Sequence, residues 1–384
     1  MEAYLDNSAT TKCSETVKDL MMKVLISDYG NASSMHMKGV EAERYIKTAA
    51  SQIAKTLRCS EKEIIFTSGG TESNNLALIG AAMANRRAGM HLITTSVEHP
   101  SVKNTMLFLE EQGFRITYLK ADRDGILDLE QLKEAVCEDT ILVSMMMVNN
   151  EMGAAEPIEE AAEIIHKKNP KTLVHVDAIQ AYGKYKIVPK RLGIDLMSVS
   201  GHKIHGPKGI GFLYIRENTK IKPISFGGGQ QRDLRPGTLN TPGIAGLGLA
   251  AQEAYEDFDE KIDHLYKIKQ QFVQGVQAVE GAVVNGKTGR DSAPQIVSVS
   301  FKGVRSEVLL HALEDCGIYV SAGSACASNH PSVSSTLQSI GLPRELQESA
   351  IRFSFSIHTQ PEEITYTLKE LSKLVPMLQR YRRH

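Results

Sequence analysis

A chain of 384 residues is long enough to bury a large core and to divide into two domains. Its 44 basic and 45 acidic residues leave a formal net charge of -1, which gives no strong pull toward nucleic acid or a membrane surface. The longest apolar run, ILVSMMMV at 141–148, is far short of a membrane span and the start MEAYLDNSATT is no signal peptide, so the sequence reads as a soluble cytoplasmic protein.

From about residue 50 to 220, short β-rich runs alternate with helical periodicity. EIIFT is followed by a helix over about 72–88, HLITTS by a helix over about 101–112, and RITYL by a helix near 128–137. TILVSMMMV, a helix near 157–168, TLVHVDA, DLMSVS and GIGFLYIR complete the series. Strand, helix, strand in repetition predicts an α/β fold with a mostly parallel central sheet. After Pro242 the pattern changes to a long helical stretch reaching about 280, then QIVSVSF, helix, IYVSAG, helix, IRFSFS and a last helix over about 361–380. The change predicts a smaller α+β domain, giving a division into 15–250 for the large domain and 1–14 with 251–384 for the small one.

The cysteines are Cys13, Cys59, Cys137, Cys316 and Cys326, an odd set without CxxC pairs or Cys/His metal spacing, so neither a disulfide framework nor a metal site is expected. Four read as free, buried small hydrophobes. Cys326 differs, because SAGSACASNHP at 321–331 surrounds it with side chains too small to bury much apolar surface. That composition predicts an exposed, mobile loop with a reactive thiol.

Polar clusters recur where the β runs end, the edge at which open α/β sheets bind ligands. TSGGTES at 67–73 puts two glycines at a helix start, where Gly70 and Thr71 can cradle a phosphate, although such turns are more often ordinary capping. In HVDAIQ at 175–180, Asp177 ends a buried strand and needs a partner; a protonated ring nitrogen, a salt bridge or a helix cap would each serve. SGHKIHGPKG at 200–209 places Lys203 between two histidines, where desolvation and neighbouring cations make an amine nucleophilic toward an aldehyde. GGGQQRDLRPGT at 227–238 either binds phosphate or merely connects domains. A lysine, a strand-end carboxylate and a phosphate turn together are what pyridoxal phosphate requires.

At this point the chain resembles the cysteine desulfurases of aminotransferase class V, fold type I pyridoxal phosphate enzymes. The motifs that carry the resemblance run nearly end to end: YLDNSATT, YGNASSMH, TSGGTES, EHPSV, NNEMG, HVDAIQ, SGHKIHGPKG, GGGQQRDLRPGT, GSACAS and IRFS. The resemblance implies that Lys203 holds the cofactor covalently, Asp177 pairs with its ring nitrogen, and Gln180 and Asn150 contact the ring hydroxyl region. It implies that His99 stacks on the ring and assists proton transfer, and that Gly70, Thr71, Ser200 and His202 bind the phosphate, with Thr238 reaching the phosphate of a partner subunit in a homodimer. Arg352 would grip the substrate carboxylate, assisted by Asn31. L-Cysteine would lose its sulfur to Cys326 as a persulfide, leaving L-alanine, and the sulfur would pass to an acceptor such as an iron–sulfur scaffold or a tRNA-thiolation protein. Selenocysteine lyase and cysteine sulfinate desulfinase are the rival chemistries on the same fold. The chain departs from the family's pattern at Phe355, Ser356 and Ile357, where Leu, Gly and Arg are usual, and at Ala32, where Pro is usual.

Overall fold

The computed structural model describes residues 1–322 and 334–381. Among these, seven strands form one sheet in the order Ile64–Thr67, Gly211–Ile215, Leu196–Ser200, Leu173–Asp177, Thr140–Met146, His91–Thr95, Arg115–Leu119. The last five of these pair in parallel, whereas Gly211–Ile215 runs antiparallel to both of its neighbours. The sheet is therefore mostly parallel, as the alternation of strands and helices predicts. GIGFLYIR reverses direction because only a short turn, residues 201–210, separates it from Leu196–Ser200, too little chain for a parallel crossover.

Alternate residues of these strands sort to opposite faces. Ile93, Val143, Met197 and Phe212 join the core on one side, and Leu92, Leu142, Leu196 and Leu213 join the core on the other. Burial on both faces explains why the strand sequences read as continuous apolar runs, not as alternating ones. The helices of the alternation, among them Gly70–Asn85, Pro100–Glu111 and Ile158–Lys168, supply the covering layers.

Two helices near the start of the chain, Glu15–Ile26 and Met37–Leu57, have no counterpart in the predicted series. They pack on the helix Thr241–Tyr255 through Val17, Ala49 and Ile53 against Ile244 and Leu247. Small residues make that approach close: a Cβ on Gly248 would lie 2.5 Å from the Cα of Ala49. Contacts of this kind leave little apolar periodicity to read. The predicted single helix to 280 is two helices, Thr241–Tyr255 and Phe258–Val276, broken at Asp257 with φ of 47°.

A second, antiparallel sheet orders Ser321–Ala322, Ala350–Ser354, Ile296–Phe301 and Ala282–Asn285. It has its own core, in which Phe272 lies between Phe353 and Phe355 with ring centroids 4.5 and 5.6 Å away. Phe355, one of the departures from the family pattern, is thus a core residue, and Ile357 packs against the same cluster. The N-terminal strand Ala3–Tyr4 pairs in parallel with Ile318–Tyr319. No described helix is long and apolar enough to cross a membrane.

Candidate active site

The C-terminal ends of the parallel strands gather the polar clusters singled out in the sequence. Strand Leu173–Asp177 delivers Asp177 into the interior, 3% exposed. One carboxylate oxygen accepts from the Asn74 side-chain amide at 2.8 Å and the other from the N–H of Ile179 at 3.0 Å. Burial pushes this carboxyl up, while His99 and Lys203 pull it back toward the ionised form. An ionised carboxylate at this depth calls for a cation.

His99 caps the helix Pro100–Glu111, with Pro100 pre-set for the first turn. Its Nδ1 accepts from the N–H of Ser101 at 3.1 Å and lies 2.8 Å from the Ser101 hydroxyl. Burial lowers its pKa, with Asp177 acting against that and Lys203 with it. Lys203, in the turn after Leu196–Ser200, donates to the carbonyl oxygens of Ser8 and Ala9, the latter at 2.7 Å. Electrostatically, His99, Asp177 and Lys203 form one group.

The start of helix Gly70–Asn85 opens beside this group. Gly69, with φ of 148°, precedes it and provides no side-chain cap, so the first-turn N–H groups of the helix face outward. Gly70 lets the turn pack close to Ile179: a Cβ there would meet the end of the Ile179 side chain at 2.1 Å and force it to shift. A cavity of about 440 Å³ lies against this turn, bounded by Gly70, Thr71, Ser200, His202, Thr10 and Lys208. His202 contacts the Thr10 hydroxyl at 3.2 Å and is held neutral, its pKa pushed down to about 4 by burial and then by Lys203 and Lys208. The donors fit a phosphate group and Asp177 fits a protonated ring nitrogen.

The remaining expected residues divide. Gln180 is buried and donates to the Ser8 carbonyl at 3.0 Å, bringing it beside Lys203. Arg352, on strand Ala350–Ser354 and 8% exposed, pairs with Asp6 at 2.8 Å and donates to the Asn150 carbonyl at 2.9 Å, while its Nε has no partner among the described residues. Thr238 is exposed in the segment before helix Thr241–Tyr255, and none of its described hydrogen bonds joins it to this cluster. Asn31 stands apart from Arg352: it is exposed and its side-chain oxygen accepts from the N–H of Ser33 at 3.0 Å. Cys326 lies outside the described residues.

Several residues the sequence did not single out belong here. Asn74 and Ser101 join Asp177 to His99. Asp6 holds Arg352, and the segment Asn7–Thr11 bonds to Ser354, Gln180, Lys203 and His202. Lys184 donates to the Lys203 carbonyl at 2.5 Å, and burial, then Lys203, lowers it to about 7. The motifs YLDNSATT and EHPSV contain residues 6–11 and Ser101 but named no role for them. One cysteine expectation is corrected: Cys137 is exposed, and Cys13, Cys59 and Cys316 are half-buried, because the helix Leu129–Ala135 ends before Cys137 and leaves it at the mouth of a turn.

Comparison with known proteins bears directly on this arrangement. Residues 3–366 match the Aminotransferase class-V family. The chain belongs to that family. Within the family it aligns with the cysteine desulfurase IscS of Dictyoglomus turgidum at 41% identity, covering 98% of this chain and 95% of the relative. The enzyme of the same name from Clostridium botulinum strain Hall is 40% identical over 97% of this chain and 94% of the relative. Among solved structures, a NifS-like protein superposes with a TM-score of 0.93 at 39% identity, covering 98% of this chain and all of the other (100%). A structure described as SspA in complex with cysteine has a TM-score of 0.79 at 33% identity, covering 93% of this chain and 100% of that one. This class-V chain thus falls among the cysteine desulfurases.

Proposed function

We propose that the protein is a pyridoxal phosphate-dependent cysteine desulfurase that removes sulfur from L-cysteine and leaves L-alanine. The observation that carries this reading is the meeting of Lys203, buried Asp177 and His99 beside an uncapped helix start, in a chain aligned over nearly its whole length with enzymes of that name. Pyridoxal phosphate, when bound, supplies an aldehyde and an electron-withdrawing ring. Lys203 would hold the cofactor through its aldehyde and, as a free amine, would move the substrate's α-proton. Asp177 would favour a protonated ring nitrogen, and Gly70, Thr71, Ser200 and His202 would hold the phosphate. Gln180 and Asn150 serve the ring hydroxyl region. Arg352 takes the substrate carboxylate, for which its Nε, without a partner among the described residues, is suited.

Cys326 attacks the substrate sulfur as thiolate, forming an S–S bond while the C–S bond breaks with its electron pair leaving on the carbon fragment, which takes a proton and departs as L-alanine, and the persulfide stays on the protein until an acceptor takes it. Thr238 serves the phosphate of a partner subunit in a homodimer. Asn31 supports substrate from a segment that the described contacts leave apart from Arg352. The division into a large domain, 15–250, and a small domain of 1–14 with 251–384 is supported by the two sheets with separate cores. The test is alanine and sulfide release from L-cysteine with a thiol reductant, for the wild type and Cys326→Ala. Matched products that vanish in the variant are expected. Products that persist in the variant would move the selenocysteine lyase reading ahead.

A further inference from the structure

Between Asp177 and His99 runs a chain of hydrogen bonds whose direction follows from donor chemistry. The main-chain N–H of Ser101 donates to His99 Nδ1 at 3.1 Å. A backbone N–H has one sense only, so Nδ1 presents a lone pair and carries no proton. The Ser101 hydroxyl, 2.8 Å from the same nitrogen, must then donate its hydrogen there. Its oxygen is left to accept, and the Asn74 amide nitrogen lies 2.9 Å from it. The second hydrogen of that amide goes to Asp177 at 2.8 Å. Starting from an ionised Asp177, which can only accept, gives the same direction. Asn74, Ser101 and Asp177 are 0%, 8% and 3% exposed, so water competes for none of these bonds effectively.

We propose that Ser101, backed by Asn74, is a positioning residue that holds His99 as the neutral ring protonated on Nε2 and couples that state to the Asp177 carboxylate. The use of this device rests on the desulfurase reading: Nε2–H is the one hydrogen the ring can offer to a substrate sulfur or to Cys326. A second proton can enter only at Nδ1, and it must displace both the Ser101 hydroxyl and the N–H that the ring caps. The charged groups facing the ring are Asp177, from strand Leu173–Asp177, and Lys203, from the turn after Leu196–Ser200, and they act in opposite senses. Both Ser101 donors favour the neutral ring, so losing one raises the pH at which His99 protonates.

The test is a long-range proton–nitrogen NMR correlation on the holoenzyme carrying nitrogen-15 histidine, with Ser101→Ala and Ser101→Thr beside the wild type. The expected pattern is Nε2–H with a bare Nδ1 in the wild type. Ser101→Ala should titrate about one pH unit higher, the worth of one hydrogen bond. The acidic limb of alanine formation should move by the same amount, and Ser101→Thr should restore both. A proton on Nδ1 in the wild type, or an unmoved titration in Ser101→Ala, would overturn the proposal. The wild-type tautomer needs no variant, so a Ser101→Ala chain that fails to fold still leaves the proposal testable. The tautomer is also read without turnover: absent alanine with an intact Nε2–H signal would count against the desulfurase reading alone.

Discussion

The strand His91–Thr95 has one histidine at its start and another, His99, four residues past its end, and the two rings are spent differently. His91 is fully buried, and both of its nitrogens meet threonine hydroxyls at 2.8 Å, Thr140 on one side and Thr117 on the other. His99 engages only Nδ1 among the described residues. The first ring is consumed in holding three neighbouring strands together. The second keeps an edge in reserve, at the end of the sheet where Lys203 and Asp177 also arrive. Burial holds both rings neutral, so a depressed pKa does not separate structure from chemistry here; the count of satisfied nitrogens does.

Breaking the reactive end should cost turnover and spare the fold. Lys203→Ala should lower alanine formation about a thousandfold or more, measured with excess cofactor, while leaving the urea unfolding midpoint nearly in place. Asp177→Ala should cost about a hundredfold and also weaken cofactor retention, read as absorbance lost on dialysis. At the other end, His91→Ala should do the reverse. A fully buried ring is lost together with its hydrogen bonds to Thr140 and to the half-buried Thr117, which should lower stability by about 2–4 kcal/mol in urea melts, with turnover per folded molecule unchanged. If His91→Ala instead abolished turnover in a folded protein, the division between the two ends would fail.

The same comparison has a pH signature. Burial depresses His91 to about 4 and His175, bonded between Ser144 and Ser198, to about 3, both below the ordinary 6.5. The unfolded chain therefore binds more protons than the fold below pH 6.5. Stability from these rings is fully present above that value and drains away as pH falls through about 4 toward 3. Urea midpoints measured across this window should decline, and less steeply in His91→Gln. The smallest effect concerns Cys137, exposed beside Arg115 and lowered by its hydrogen bond to Thr140, whereas burial pushes Cys59 up to about 12. In a Cys326→Ser background, iodoacetamide should label Cys137 well before Cys59, as read by peptide mass spectrometry.

Legibility in the sequence followed the same divide. Strands of the central sheet were readable because burial on both faces writes continuous apolar runs, and Asp177 and Lys203 stood out because polar residues end those runs. Met37–Leu57 was not readable, since its buried face includes Gly39, Ala42, Ala49 and Ala54, which carry almost no periodic signal. Ser101 and Asn74 were silent for another reason. A serine after a proline at a helix start looks like routine capping, and only the geometry reveals that its hydroxyl points to a histidine and not to its own backbone. Arg352 was placed by resemblance, but its tether to Asp6 joins positions separated by nearly the whole chain and leaves no local trace.

That separation governs when the protein can begin to work. The N–H of Ser8 bonds to the hydroxyl of Ser354, 346 residues later, and the same segment carries the carbonyls that receive Lys203. As the chain emerges from the ribosome and the central sheet folds, the segment 6–11 can already meet Gln180, His202 and Lys203 but still lacks Arg352 and Ser354. Until Arg352 is out, Asp6 has no arginine to hold and no guanidinium waits for a carboxylate. Synthesis itself therefore acts as the timer: a half-made chain can fold its large sheet and still be unable to consume the cell's free cysteine.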